Sequence, residues 1–325
     1  MTTVRIKAFS RIHVGLISMH AGGPRQNGGL GFAINDPSIT VAVSPSADLE
    51  ITDGRAKSYT TIEVNALRDH LRTTVQQLKL DGGAKIEIDG DMRTHQGFGS
   101  GTAIRLACIE GLALLSGRTI SRDEIVALSH RGGTSGIGVN TYFDGGFILD
   151  SGIQNQRNEF VPSSHAQGRK KPLSLMQLRM PDWPMLLCIP NKCRPKTQEE
   201  ELEFFRHTAP LSASSSYETA YHATFGLASA ILERDYDAFC AALNKMQNVE
   251  WKRAEREEHG TELRIVDEAL RKSGADCVAL SSLGPLVIVL APPTKMPLLL
   301  ETVGTMDCWG AITTARNSGR ELELS

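Results

Sequence analysis

Several common sequence signals are missing from this chain of 325 residues, and each absence excludes a class of protein. No run approaches the roughly 18 uninterrupted apolar residues of a membrane-spanning helix. The N-terminal sequence MTTVRIKAFSRIHVGL alternates like a strand and does not form a signal peptide. The six cysteines have no CxxC spacing, so we expect reduced thiols. These absences predict a soluble cytoplasmic protein.

An excess of charge of one sign is also missing. The 35 Lys and Arg residues nearly balance the 37 Asp and Glu residues, which argues against nucleic acid or a membrane surface as the main partner. Hydrophobic residues make up 41% of the chain, enough for a packed interior. A chain of this length is long for one ordinary core, so we expect two domains or lobes.

The order of the hydrophobic patterns indicates the fold class. Strand-like runs dominate residues 4–91, with one helix predicted near 62–80. Later segments predict a helix at 122–130, an exposed loop at 163–174, and long helices at 216–245 and 249–273. Strands that are segregated from helices predict an α+β fold with two lobes, and the exposed loop is the expected boundary between them.

The segment HQGFGSGTAIRLACIEGLALL, residues 95–115, points to an anion site. Gly97, Gly99 and Gly101 leave the backbone free of side chains, and an apolar helix follows directly. The unpaired N–H groups at the start of that helix would face the same anion. The spacing is neither that of a Walker loop nor that of the dinucleotide fingerprint. The alternative is a tight turn into a buried helix.

The helix after these glycines has an apolar pattern that nearly encircles it, which predicts burial. Arg105 is the exception. A cation near the start of a helix opposes the helix dipole, at a cost of about 0.3–1 kcal/mol. Arg105 therefore either faces a bound anion or lies solvated with its stem on apolar surface.

Several segments together resemble a known superfamily. HQGFGSGTA resembles the phosphate-binding motif of the GHMP superfamily of small-molecule kinases, and SSLGPLVIVL, residues 281–290, resembles its C-terminal glycine motif. RIHVGL, RGGTSGIGVNTYFDGGFILDSG and SSLGP are more similar to one branch, β-ribofuranosylaminobenzene 5'-phosphate synthase. The resemblance implies a ribosomal-protein-S5-like lobe over residues 1–165 and a ferredoxin-like α+β lobe over 175–325.

The resemblance also implies a reaction. That branch and the related C-nucleoside synthases of antibiotic pathways bind phosphoribosyl pyrophosphate (PRPP) and join its anomeric carbon to a ring carbon of a carboxylated aromatic or heteroaromatic acceptor. CO₂ and pyrophosphate are released. Mg²⁺ is the expected cofactor, and a homodimer is possible because relatives are often dimers. Ala103 and Phe98 depart from the residues expected in the branch, which favours a divergent acceptor without deciding between a benzoate and a heterocyclic dicarboxylate.

One position argues against a kinase. In the kinase branch an Asp follows two residues after a Ser-Gly pair, whereas here the pair is Ser135-Gly136 and the corresponding residue is Gly138. A glycine cannot act as a base. Asp144 is a nearby catalytic candidate, although Asp is also an ordinary turn residue in the DGG sequence. An ATP-dependent small-molecule kinase and a non-catalytic sensor of a phosphorylated ligand are the other two functions that stay open.

The usual phosphoribosyltransferase loop is absent, since FILDSG contains only Asp150, so the glycine segment and basic residues would have to hold PRPP. Arginine can bind phosphate in a bidentate manner, which favours Arg11 and Arg131. Arg11 could instead form a strand-edge salt bridge, and Arg131 could be structural. The full set predicted to bind PRPP is Arg11, Gly97, Gly99, Ser100, Gly101, Thr102, Ala103, Arg105, Arg131, Ser135 and Gly136.

The sequence is less specific about the residues that bind the aromatic acceptor. His13, His95 and His130 lie beside the motifs, and we choose His13 as the catalytic candidate with Asp144, although each His alone is more often a packed residue. The acidic cluster in KTQEEELEFFR contains Glu201, the candidate metal ligand, but acids are common at the start of a helix. The pair Phe204-Phe205 either covers an aromatic substrate or packs in the core.

Overall fold

The computed structural model describes residues 3–80, 82–155, 159–166 and 171–325. Its first part contains the following elements: β1 (Val4–Ser18), β2 (Arg25–Ser46), β3 (Glu50–Asp53), α1 (Thr61–Leu78), β4 (Gly83–Gly90), α2 (Ser100–Leu115), α3 (Arg122–Ser129), α4 (Ile137–Asp144), β5 (Phe147–Asp150), β6 (Ile153–Gln154) and β7 (Ser174–Leu178).

The second part contains these elements: β8 (Met185–Pro190), α5 (Gln198–Thr208), α6 (Ala213–Tyr221), a π-helix (His222–Ala228), α7 (Ser229–Glu233), α8 (Tyr236–Met246), α9 (Glu250–Glu257), α10 (Gly260–Lys272), β9 (Cys277–Leu280), β10 (Val287–Leu290), a short 3-10 helix (Pro293–Lys295), α11 (Met296–Thr305), β11 (Cys308–Thr313) and β12 (Glu321–Leu324). None of the helices in the described ranges combines the length and the apolar character that crossing a bilayer requires.

The first sheet carries the glycine segment on its face. Its main path runs β12-β1-β2-β4-β3, and β5 pairs with β2 and with β7. All of these pairs are antiparallel except β3 with β4. Helix α2 lies against β1 and β2, and a Cβ on Gly111 would lie 2.6 Å from Val43 Cγ2, so glycine permits the close approach. Because eleven of its residues are buried, the predicted burial of this helix is confirmed.

The second sheet is antiparallel and runs β11-β8-β10-β9. Every residue of β8 is buried, because the strand is covered on both faces. Met185, Leu187 and Ile189 point into the large core shared with the first sheet. Leu186 and Cys188 point the other way, toward α10 and α11. The predicted α+β class is therefore confirmed. The structure has two sheets, and they share one core.

The chain crosses between the two sheets near both of the predicted lobe limits. Strand β7, whose first residue is Ser174, still pairs with β5 of the first sheet. The last strand, β12, returns to the first sheet and pairs with β1. Residues 167–170 of the predicted exposed loop lie outside the described residues, and Ala166 just before them is buried. The limits 1–165 and 175–325 stay a prediction.

The two long helices predicted in the second half are wrong in their extent. The segment 216–245 is divided into α6, the π-helix, α7 and α8, because Arg234 adopts a left-handed conformation and Asp235 caps the next helix. The segment 249–273 is divided at Gly260, which has a positive φ of 57°. Hydrophobic periodicity does not detect such breaks, since the apolar stripe continues across them.

Candidate active site

The predicted glycine segment opens α2 without a side-chain cap. Gly97 and Gly99 have φ values of 104° and 80°, in the left-handed region that favours glycine. Gly99 is the N-cap residue, and no side chain accepts a hydrogen bond from the first turn. The N-terminal N–H groups of α2 are therefore free of a protein side chain and face a cleft lined by Gly97, Gly99, Ser100, Gly101 and Thr102.

A second turn, residues 281–284, packs directly on the glycine segment. A Cβ on Gly284 would lie 2.5 Å from the Gly97 nitrogen, so the two backbones touch. Ser281 Oγ donates to Gly97 O at 2.9 Å and accepts from His13 N at 3.1 Å. Because of these contacts, the SSLGP sequence fixes the position of the glycine segment relative to β1.

Arg11 reaches from β1 over the same segment. Its Nη1 donates to Gly97 O at 2.6 Å, and a Cβ on Gly99 would lie 2.9 Å from its Nε. Burial lowers the pKa of Arg11 to about 10, although the charges of Glu201 and Glu255 oppose this shift. No carboxylate of the described residues forms an ion pair with Arg11, so the strand-edge salt bridge considered above is not formed.

Arg131 lies at the other end of the segment, and Arg105 lies behind it. A Cβ on Gly101 would be 3.1 Å from Arg131 Nη2. The Arg131 Nε is buried without a hydrogen-bond partner. Arg105 does not line the cleft; its Nη1 donates to Ser129 O at 3.3 Å, and burial together with Arg131 lowers its pKa to about 10. Arg105 is thus half-buried, and it does not line the cleft.

His13 is one end of a buried polar chain beneath the cleft. Its Nε2 lies 3.3 Å from Ser135 Oγ, which donates to Asp150 Oδ2 at 3.3 Å. Asp150 also accepts from the N–H groups of Gly136 at 3.0 Å and Gly152 at 2.8 Å. Burial raises the pKa of Asp150 to about 7.

The His13 imidazole itself is held neutral. Burial and the charges of Arg11 and Lys252 keep the pKa of His13 well below its ordinary value. The chain from His13 to Asp150 was not found in the sequence, because Asp150 is 137 positions from His13 and nothing local connects them.

Asp144, the other predicted catalytic residue, is not brought to the cleft. Its Oδ2 lies 2.6 Å from Arg122 Nη1 at the end of α4, and it is absent from the cleft lining. Ala103 and Gly136 also lie outside the lining. Gly138 does line the cleft, and a Cβ there would be 3.3 Å from Thr102 Cγ2. The position that carries Asp in the kinase branch is therefore in the site, and it has no side chain.

Glu201 lines the opposite side of the cleft, on α5. Burial raises its pKa, and no hydrogen bond or ion pair of the described residues holds the carboxylate. Glu255 on α9 also lines the cleft, but it is bound by Trp251 Nε1 at 2.9 Å and by the buried Lys252. No group of three or more potential metal ligands exists among the described residues.

Of the other aromatic and histidine residues considered from the sequence, some line the cleft and others pack elsewhere. Phe205 lines the cleft with Leu16 and Leu283. Both Phe204 and Phe205 pack on Trp251. His95 lines the cleft beside Glu63. His130 ends α3, and its ring packs edge-on against that of His70 away from the cleft.

The chain is similar to several known proteins. The GHMP kinases N terminal domain matches residues 62–147. The chain is 29% identical to beta-ribofuranosylphenol 5'-phosphate synthase of Archaeoglobus fulgidus over 99% of this chain and 100% of that protein. It is 27% identical to the protein of the same name from Methanocaldococcus jannaschii, over 98% and 99%.

The fold is similar to that of homoserine kinase from Cytophaga hutchinsonii, with a TM-score of 0.69 at 17% identity. That similarity covers 99% of this chain and 97% of the kinase. The predicted two-lobed GHMP fold is confirmed.

We expect Gly284 to contribute to the stability of the fold and Gly101 to contribute to anion binding. Gly284→Ala should lower the Tm by several degrees, because the added methyl group would overlap the backbone of Gly97. Gly101→Ala should leave the Tm unchanged, since the methyl group meets only the flexible end of Arg131, yet it should weaken the binding of inorganic pyrophosphate by about tenfold. Thermal unfolding and calorimetric titration measure both. A collapse of the Tm in Gly101→Ala would instead make this glycine structural.

Asp150 should leave a signature in the pH dependence of stability. Because its pKa is raised to about 7 in the folded state, its contribution to stability is present at acid pH and is lost as the pH rises from about 4 toward 7. The free energy of unfolding of the wild type relative to Asp150→Asn should therefore fall across this range by a few kcal/mol, at about 1.4 kcal/mol per pKa unit. Urea unfolding at several pH values measures it, with Asp144→Asn as control. A difference independent of pH would contradict the buried protonated carboxyl.

Proposed function

We propose that the chain is a PRPP-dependent C-glycoside synthase of the GHMP superfamily, on its β-ribofuranosylaminobenzene 5'-phosphate synthase branch. The enzyme would join the anomeric carbon of ribosyl 5-phosphate to a ring carbon of a carboxylated aromatic acceptor, with loss of CO₂ and pyrophosphate. The observation that carries the proposal is the uncapped start of α2, flanked by Arg11 and Arg131, neither of which has a carboxylate partner among the described residues.

The chemistry required is the departure of pyrophosphate. Negative charge grows on the leaving oxygen as the bond to the anomeric carbon breaks. The N–H groups at the start of α2, the helix dipole and the two guanidinium groups are fixed in place before the reaction and stabilise that charge. Residues 281–284 hold these donors in position, because Ser281 Oγ donates a hydrogen bond to Gly97 O.

Mg²⁺ fits this arrangement through Glu201. Magnesium commonly binds one or two carboxylates together with substrate phosphate oxygens, so a site with a single free carboxylate is sufficient once a diphosphate is bound. Glu201 would hold the ion, and Glu255 lies nearby on the same side. When bound, the ion would neutralise charge on the leaving group.

The acceptor is proposed from the apolar part of the cleft. Leu16, Phe205 and Leu283 provide a surface for the flat face of an aromatic ring. The curated relatives are named for a ribosylated phenol, which is the product expected when a hydroxybenzoate loses its carboxylate at the carbon that is joined. We therefore propose a hydroxybenzoate in preference to the heterocyclic acceptors of C-nucleoside pathways.

His13 is the residue proposed to face the reacting groups from β1, as a neutral hydrogen-bonding imidazole. Asp144 receives no catalytic role, because its carboxylate is paired with Arg122 outside the cleft. A cytoplasmic location and a homodimer stay predictions.

The choice between PRPP and ATP as ligand separates this proposal from the alternatives. PRPP with Mg²⁺ should raise the Tm, and ATP with Mg²⁺ should not, as the similarity to the synthase branch implies. Gly138 in addition leaves no base for phosphoryl transfer, so ATP should not be consumed. Thermal shift with PRPP, with ATP and with pyrophosphate measures this. Stabilisation by ATP without a response to PRPP would indicate a kinase, and PRPP binding without turnover would indicate a sensor.

The bond formed is tested by product balance. CO₂ and pyrophosphate should appear in a ratio of one to one, because loss of the carboxylate restores the aromatic ring after attack by the carbon that bears it. Carboxyl-labelled hydroxybenzoates and pyrophosphate detection measure both products. Phenol itself, which lacks the carboxylate, serves as the control acceptor and should turn over poorly. Pyrophosphate release with the label retained in the product would mean that an oxygen of the acceptor is the nucleophile and that no C–C bond forms.

Glu201→Gln should raise the Mg²⁺ concentration needed for half-maximal activity by about tenfold or more, since the variant keeps the shape of the side chain and removes its charge. Glu203→Gln, on an exposed face of the same helix, is the matched control. A normal Mg²⁺ dependence in Glu201→Gln would show that this carboxylate is not a ligand.

A further inference from the structure

Asp150 is a buried carboxyl group that has no role in the proposed function. It is fully buried at the end of β5, where its Oδ1 accepts from Gly152 N at 2.8 Å and its Oδ2 accepts from Gly136 N at 3.0 Å. Among the described residues, the side chain that donates to it is Ser135, whose Oγ lies 3.3 Å from Oδ2. Burying a carboxyl group is costly, and such groups are concentrated at functional sites.

Ser135 lies between this carboxyl group and the cleft. It is half-buried and lines the cleft, whereas Asp150 lies behind it. His13 Nε2 lies 3.3 Å from Ser135 Oγ, and Ile137 N donates to the same oxygen at 3.3 Å. These contacts hold the hydroxyl group in place. A serine hydroxyl group both accepts and donates, so it can take a proton from one partner and give its own proton to another.

Ser135 is next to the apolar surface proposed for the aromatic ring. Leu16, which belongs to that surface, is directly opposite Gly29 in the pairing of β1 with β2. Residues directly opposite each other in an antiparallel pair point to the same face of the sheet. A Cβ on Gly29 would lie 2.7 Å from Ser135 Oγ and 3.0 Å from His13 Nε2. The Ser135 hydroxyl group therefore lies beside Leu16 on that face, in the space that the missing side chain of residue 29 provides.

The proposed reaction needs a group that takes a proton and later returns it. When the ring carbon of a hydroxybenzoate attacks, positive charge develops on the phenolic oxygen, and loss of its proton removes that charge. When CO₂ leaves, the electron pair returns to the ring and the oxygen takes the proton back. No proton is consumed overall, so the best group binds and releases a proton near neutral pH. Burial raises the pKa of Asp150 to about 7, which meets this condition.

We propose that Ser135 binds the phenolic hydroxyl group of the acceptor and relays its proton to Asp150. The O–H bond of the acceptor breaks as a new O–H bond forms at Ser135 Oγ, and the original Ser135 proton moves to Asp150 Oδ2. Both transfers reverse as CO₂ leaves. Ser135 is then a catalytic residue, whereas Asp150 and His13 act through it. This inference rests on the proposed function, and it assigns Ser135 to the acceptor, although the sequence predicts that it binds PRPP.

Ligand binding tests the hydroxyl site without any turnover. 4-Hydroxybenzoate and benzoate differ by one hydroxyl group. In the presence of pyrophosphate and Mg²⁺, calorimetric titration of the wild type should show about tenfold tighter binding of 4-hydroxybenzoate. Ser135→Ala should abolish this preference and leave the affinity for pyrophosphate unchanged. Ser151→Ala is the control, because it removes a hydroxyl group that donates to Leu173 O outside the cleft. Equal affinities of the wild type for the two ligands would overturn the hydroxyl site.

The acidity of the acceptor tests the proton relay. With PRPP and 4-hydroxybenzoate, the kcat of Ser135→Ala should be about 100-fold or more below that of the wild type. Two fluorine atoms beside the hydroxyl group make the phenol more acidic, so with that acceptor the loss should be less than about tenfold. Asp150→Asn should show the same pattern, and the double variant should lose no more than either single variant, because both residues serve one proton transfer.

Equal losses with the two acceptors would overturn the relay, because a structural or PRPP-binding role of Ser135 affects both acceptors alike. The Tm of Ser135→Ala, compared with that of the wild type, shows that the fold is intact, and this variant alone decides the outcome if Asp150→Asn does not fold. If the preference for 4-hydroxybenzoate is present but PRPP and hydroxybenzoates release neither CO₂ nor pyrophosphate, the proposed function fails and the hydroxyl site stands.

Discussion

The contact between the glycine segment and the turn at residues 281–284 is the constraint on which the site depends. Gly97 and Gly284 allow two backbones to approach so closely that a Cβ on either would overlap the other element. Ser281 then connects the segment to β1 at His13. His13 and the glycine segment hold their mutual positions because one small turn from the second half of the chain contacts both of them, and Arg11 is attached to the same segment through Gly97.

That rigidity has an electrostatic consequence. Arg11, Arg105 and Arg131 are gathered around the start of a helix whose own dipole is positive there, and the described residues provide no ion pair for any of them. Such an arrangement costs stability in the free protein. An anion bound at this point would offset the repulsion among these positive charges. Enzymes commonly keep groups at the active site that destabilise the free protein but serve binding or catalysis.

The glycine pattern and the hydrophobic periodicity carried much of the information about fold and site. The burial of α2, the strands of both sheets and the positions of Arg11, Arg131 and Ser135 in one cleft agree with what the sequence predicts. The breaks at Arg234 and Gly260 were not predicted, because single left-handed residues interrupt a helix without interrupting its apolar stripe. Asp144 was chosen for its closeness in sequence to the expected kinase residue, but the end of α4 turns it toward Arg122.

By itself, the sequence determined the local chemistry: where the backbone lacks side chains, where a helix begins with free N–H groups, and that residue 138 cannot be a base. These are properties of single residues and their immediate neighbours. Only the tertiary structure decided which distant groups share a cleft. Asp150 meets His13 through Ser135, Glu255 faces Arg11, and Tyr59 faces Arg131 because sheet pairing and helix packing bring them together. No periodicity in the sequence predicts these contacts between distant residues, because they depend on the packing of the whole core.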